Sequence, residues 1–507
     1  MIFREPGSQI ITQYSVPLRG TWNSLAVHSI PQDSLYDSLN IFIRKGKVRN
    51  RPGLTLVNRT IFDGPILGGQ MAVTPLEKRL VVFTKSSTYE LGESDATWVY
   101  VNSNTFAPSD TSVIDTAGIE TSNIYAVLVA EQHSALKAWN SILHTTNTIT
   151  PQSGSDSIPL AKSVCVVVRR VVCLIPPHTV RWSRVFQMDY FPPNAYNKVA
   201  QTDDLGICVR SLTNTSFVLY KERSVYVARA REGGDDTAFQ FSDPIYADGP
   251  AGVRAVIDVQ GSHLYMTKNG RIAQFTGANY PQWIADGLWL FLQDDIDPVY
   301  ASFTTGVYDH RLHTAIFYYP RRGDSGVLKG MVILSLPLEG VDLQQQQQPI
   351  PAAFRGLSGI SVTHAVQSHF NQTIDRSVVF GNEQKGSQSF YLDETAQTDA
   401  GQYYDCMMSH ALTAMPDARH TKVSFETFVE RQQGYGVLGV EPVISDTLES
   451  QDGTVADGKL EYIDLETNPL QSIKAFGVST RFFGLKYTWR SDSTVRYSGS
   501  VIYKSNR

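Results

Sequence analysis

From about residue 41 to residue 395 the chain repeats one pattern: an apolar run, a short polar turn, and a second run carrying an aromatic residue. Arg79–Phe83 breaks at Lys85–Ser87 and resumes at Thr88–Leu91. Ser216–Tyr220 turns at Lys221–Arg223 and resumes at Ser224–Ala228, and Ser262–Met266 turns at Lys268–Gly270 and resumes at Arg271–Phe275. Thr314–Tyr319 pairs by pattern with Gly330–Leu334, and Ser377–Phe380 with Ser389–Leu392. Val164–Leu174 is nearly all valine around Arg169 and Arg170. Such pairs bury nothing alone, and they recur at roughly 45–60 residues, the scale of a propeller blade. The predicted fold is mainly β: a propeller-like array of antiparallel hairpins or blades with a C-terminal β region. No WD or kelch tag marks the repeats, so the blade number stays open. Two short amphipathic helices are expected, at Ser134–Leu143 and Trp283–Leu292.

The polar stretch Thr395–Gln402 reads as a boundary, giving three parts: an N-terminal arm over 1–40, the propeller-like domain over 41–395, and a β region over 396–507. In the last part, Lys422–Val429, Val437–Val443, Ser472–Tyr487 and Val495–Tyr503 alternate as strands around the acidic loop Ser445–Asp464. They form a small sandwich or close onto the propeller.

Charged residues make up 18% of the chain, below the roughly 25% usual for soluble proteins. Aromatics reach 11%, which suits sheets that offer one face to partners. The net charge of −5 supplies no basic stripe for a lasting grip on nucleic acid. Four cysteines are too scattered for a disulfide framework. Cys165 and Cys173 are placed to face each other across a hairpin turning at Arg169–Arg170, and are expected reduced. Neither a secretory leader nor a window of about 20 apolar residues is evident, so no membrane insertion is expected.

Walker, HExxH, GxSxG and CxxC motifs are absent from the sequence. Asp294, Asp295 and Asp297 offer oxygen ligands to a hard cation but lack the rest of a calcium loop, and read as a solvated turn. Asp203–Asp204 and Asp235–Asp236 read the same way. His364 and His369 have no acidic or thiol partner nearby, and Glu131–His133 and Asp309–His310 have no adjacent nucleophile. Neither catalytic residues nor cofactor or metal sites are expected. Strand-borne arginines (Arg210, Arg223, Arg254) are available for a sialidase-like site, but without repeated Asp-box turns. Arg49, Arg51, Arg169 and Arg170 are candidate interface or channel residues, as are Gln344 and Gln348 in the glutamine loop. Edge-strand gatekeeping is the plainer reading of the arginines.

One segment carries more than strand pattern. Pro31–Gly53 passes from a polar turn through Asn40 into Ile41–Ile43, turns at Lys45–Gly46, and returns through Arg49 and Arg51 to Pro52–Gly53. This hairpin resembles a signature of tail proteins of tailed bacteriophages, and most closely the nozzle (tail tubular protein B class) of short-tailed phages. Trp182–Arg184 with Phe191–Asn194, the hairpin Phe217–Val227, and Gly249–Phe275 are similar to elements that follow it in that family. The resemblance implies a non-enzymatic virion protein, a ring of about six copies around the DNA exit channel that gates ejection. It implies a tail adaptor and tail fibre or spike proteins as partners, with transient contact to double-stranded DNA. A glycan-binding or glycan-cleaving propeller is the alternative, and a tail hub, adaptor or capsid-associated protein a third.

Overall fold

The computed structural model describes residues 9–505 except 24–29, 32, 45, 75–76, 94, 96, 104–105, 107–112, 122–123, 260, 337–351, 369–375, 385, 415–420, 430–436, 446–453, 456–460, 465–470, 479–481 and 494. Among these residues, five antiparallel sheets of four or five strands and one half of a nine-stranded sheet follow one another along the chain, and the other half of that sheet makes a seventh blade. Each blade starts with a strand beside the axis: Gly68–Val73, Asp115–Glu120, Ser163–Val167, Gly206–Thr213, Val256–Val259 and Thr305–Asp309 for blades 1 to 6. In blade 7 it is the later part of the long strand Ala352–Gln367, whose earlier part forms the outer strand of blade 6. The fold is a β-propeller.

The blades stack face to face, so their middle strands are covered on both sides. Ser87–Gly92 and Ser216–Lys221 are buried along their whole length. Outermost strands such as Val99–Ser103 stay largely exposed. Burial on two faces erases the alternation expected of a half-buried strand and leaves a continuous apolar run. Ser134–Asn140 is therefore a strand, not the helix expected over Ser134–Leu143: Leu136 and Trp139 fill adjoining layers between blades. The second expected helix is shifted. Gln282–Ile284 is a strand, and the helix spans Trp289–Asp295.

The ring closes on the N-terminal side of blade 1. Gly53–Leu56 runs antiparallel to Gly386–Asp393 as the outer strand of blade 7, with Leu54 opposite Leu392. Phe62, Leu80 and Trp98 then pack with Val378 and Phe380, joining blade 7 to blade 1. Closure seats blade 7 against blade 1, so that among the described residues the only strand edges left on the ring are the short outer strands of the blades.

Both ends of the chain build a second, two-sheet body. One sheet orders Ile41–Arg44, Lys47–Asn50, Tyr497–Ser505, Thr421–Val429 and Gln471–Val478, with Gln9–Tyr14 also on Tyr497–Ser505. The other centres on Phe482–Arg490, flanked by Asp405–His410 and Val437–Ser445, with Leu35–Leu39 at its edge. Phe425, Leu438, Leu485, Tyr487 and Tyr497 fill the space between them, and the same core continues into Ile316, Ile333 and Phe354 of blade 6. The hairpin Ile41–Asn50, expected to open the propeller, thus belongs with the C-terminal strands, and the propeller begins at Gly53. Within the segment expected as an acidic loop, Thr454–Val455 and Glu461–Asp464 pair with Val437–Ser445.

Candidate functional site

The hairpin motif forms a buried clasp at the meeting of the two bodies. Asn40 adopts a left-handed backbone at φ 55°, which asparagine tolerates better than most residues. Its side chain donates to the Asp405 carbonyl at 2.8 Å and accepts from the Leu357 amide at 2.9 Å. Arg51, 2% exposed, donates through Nε to Asn40 Oδ1 at 3.0 Å and through Nη2 to the Leu357 carbonyl at 2.9 Å. It meets Asp399 with both terminal nitrogens and lies 3.9 Å from the centre of the Tyr404 ring. Burial opposes the guanidinium charge, but Asp399 and Tyr404 outweigh it and its pKa moves up. Gly53 follows because a Cβ there would meet the Thr398 and Ala396 carbonyl oxygens at 2.5 and 2.7 Å. Asn40, Arg51 and Gly53 of the signature serve this joint, while Gly46 makes the exposed left-handed turn of the hairpin.

The other candidates scatter. Arg49 is half-buried on its strand. Arg169 is exposed on the tight turn of blade 3, 4.5 Å from the centre of the Phe186 ring. Arg170, one residue on, is buried and bonds the Ser183 carbonyl at 2.9 Å and Asp235 at 2.7 Å. Gln344 and Gln348 lie outside the described residues, as does His369. Cys165 sits opposite Val172 and Cys173 opposite Val164, so the two thiols point to opposite faces of the sheet and occupy different layers. Burial pushes both thiols up. Asp295 holds Tyr319 at 2.8 Å and Arg321 at 3.0 Å, and Asp204 binds Ser224 and the Arg223 amide. Asp309 is fully buried and accepts from the Leu312 and Ser377 amides. No group of three metal-ligating side chains occurs among the described residues.

The axis is where charged groups converge. Arg210 on the inner strand of blade 4 grips Asp115 of blade 2 with two bonds of 2.8 Å, and reaches Ser163 Oγ of blade 3 and the Val253 carbonyl before blade 5. Arg254, next along, donates to the carbonyls of Thr363 in blade 7 at 3.0 Å, Leu67 before blade 1 at 3.2 Å, and Phe303 before blade 6 at 3.3 Å. Between them the two guanidinium groups touch every blade, at the end where the inner strands begin. A tunnel of about 550 Å³ runs from there along the inner strands, lined by Gln70, Tyr125, Asp258 and Gln367 among others. A separate cavity of about 300 Å³, lined by Glu131, His133, Lys162 and Lys268, lies beyond Val253. The arginines stopper the axis.

Arg51 and Arg254 differ in one respect. Burial pushes the Arg254 guanidinium down to about 10, with Asp115 opposing. That carboxylate is already held by Arg210. Beside it, His364 is 7% exposed, stacks on Phe380 at 6.4 Å, and makes no well-formed hydrogen bond through either ring nitrogen. Burial, then the Arg254 charge, holds it well below the usual histidine range, so it is neutral at pH 7. The sequence contained a signal for this site: arginines recurring at blade spacing just before or within inner strands. Nothing local, however, says that they reach across the axis.

No family model matches the sequence, and no curated protein matches it. Several solved structures are similar. RRP9 WD40 repeats are 11% identical, with 68% of this chain and 100% of that one covered at a TM-score of 0.43. BamB from Moraxella catarrhalis is 9% identical over 68% and 98% at 0.36, and BBS1N in complex with ARL6DN 10% identical over 67% and 96% at 0.41. These likenesses are of fold alone.

Proposed function

We propose that the protein is a structural virion component of a tailed phage, a tail nozzle whose copies close head to tail into a ring around the DNA exit channel. One observation carries the reading: the residues that resemble the nozzle signature, Asn40 and Arg51–Gly53, form the clasp that fixes the propeller to the two-sheet body. A ring that must hold its diameter needs subunits whose parts do not swing, and head-to-tail contacts close only when the rotation between copies is fixed. The stoppered axis supports a channel between subunits, since a tunnel of about 550 Å³ has no room for a duplex. In this mechanism the protein gates and conducts by the width of the ring, without bond chemistry. The formal charge of −5 lets DNA pass without a multi-phosphate grip.

Mass photometry with negative-stain imaging of the purified chain, alone and with a tail-adaptor ring, tests this. Rings of about six copies with a central hole are expected. A monomer that ignores the adaptor overturns the nozzle reading and turns attention to glycan arrays.

A further inference from the structure

The axial tunnel is closed at one end by groups whose bonding capacity is unspent. Arg254 has no carboxylate contact among the described residues, and its Nε is buried without a hydrogen-bond partner. Oγ1 of Thr305, which is fully buried, is in the same state, and the ring nitrogens of His364 make no well-formed hydrogen bond, the ring lying against the Gly69 backbone. All three residues line the tunnel. They are also neighbours: the Arg254 carbonyl accepts from the Gly306 amide at 2.9 Å, and an Arg254 guanidinium nitrogen bonds the Thr363 carbonyl. Buried polar atoms are nearly always paired, and a cation half-buried inside the fold, as Arg254 is, favours a counter-charge. Two acids line the tunnel besides. Asp115 is consumed by Arg210 and Ser163, and Asp258 stands on the exposed side of its strand. The volume falls in the range of ligand pockets and far exceeds that of a bare ion.

We propose that the stoppered end of the tunnel is a binding site for an oxyanion, a carboxylate or phosphate group carried on a small ligand, received by Arg254, His364 and Thr305. Arg254 supplies the charge and an N–H. Neutral His364 donates one ring N–H, and Thr305 donates its hydroxyl. The proposal does not depend on the nozzle reading, since it concerns the inside of one subunit.

The test is calorimetric titration of the full-length protein with inorganic phosphate and, separately, glutarate, at ionic strength matched with chloride. Saturable one-to-one binding of either anion is expected. Phosphate alone would assign a phosphoryl ligand, glutarate alone a carboxylate one, and both the shared oxyanion chemistry. R254M should abolish binding. Should that variant fail to fold, H364F and T305V, which keep side-chain volume, carry the test, each weakening binding on the order of tenfold. The site is overturned if neither anion binds more tightly than chloride, or if binding is unchanged in H364F and T305V. Either result leaves the arginines as a structural stopper only.

Discussion

The molecule sets two arginines at its two critical junctions, Arg51 buried and Arg254 half-buried, and treats them in opposite ways. At the clasp, Arg51 has a carboxylate, an aromatic face and three carbonyl or amide oxygens around it. At the axis, Arg254 has only backbone carbonyls among the described residues. The clasp is a closed electrostatic system whose parts all lie within the chain, and it can serve only the fold. The axial group leaves charge and donors unspent, so it is the place where something outside the chain still has a role. Arg51 is buried and Arg254 half-buried, and the sharper difference is the carboxylate bonded to Arg51.

The largest effect should come from breaking the clasp. R51M leaves Asp399 buried without its partner and is expected to cost about 3–5 kcal/mol in urea unfolding. The double variant R51M/D399L should recover most of that loss. If the double variant is as unstable as the single, the ion pair is not what holds the joint.

Acidification probes buried histidines in both bodies. Burial pushes His263, in blade 5, down to about 4 from an ordinary 6.5, and His410, in the two-sheet body, down to about 3. The unfolded chain takes up these protons first. The stabilisation is therefore complete above about pH 6.5 and is lost as pH falls towards 4 and 3, by roughly 3 kcal/mol or more per histidine. Urea midpoints at pH 7 and 4.5 should differ accordingly, and H263Q should shrink the difference. An unchanged difference would remove His263 from the account.

At the axis, R254M deletes a charge that has no carboxylate to strand. Its cost is confined to carbonyls losing a donor, about 1–3 kcal/mol, measurably below that of R51M. Equal costs would make Arg254 as much a support of the fold as Arg51. Smallest of all, R169A removes an exposed side chain stacked on Phe186 and should change stability by less than about 0.5 kcal/mol. A larger loss would make that turn part of the fold's support.

Much of the strand pattern was legible in the residues. Ser216–Tyr220 and Ser224–Ala228 fall within strands of blade 4, and Ser262–Met266 is a strand of blade 5. The missed strand at Ser134–Asn140 has a plain cause. Ser134–Leu143 places Ala135, Ala138, Trp139 and Ile142 at a spacing that suits a helix, and only the position of Ser134–Asn140 between two stacked blades buries Leu136 and Trp139 in adjoining layers. At the clasp, Arg51 was visible as unusual, but its partner Asp399 lies on a distant segment. At the axis, Arg210 and Arg254 stood out as arginines, while His364 showed no sign of sitting beside them.

What the sequence determined by itself is local: which stretches extend, where turns such as Gly46 bend the chain, and that the whole is a stack of hairpins. These follow from apolar runs and turn chemistry within a few residues. The tertiary structure alone decided which strands became neighbours. Gly53–Leu56 closes blade 7, Ile41–Asn50 joins the C-terminal sheet, and Arg254 crosses to carbonyls of three other blades. The physical reason is that backbone hydrogen bonds are alike for every strand. A strand's partner is chosen by the burial achieved across the whole ring, which no local pattern encodes.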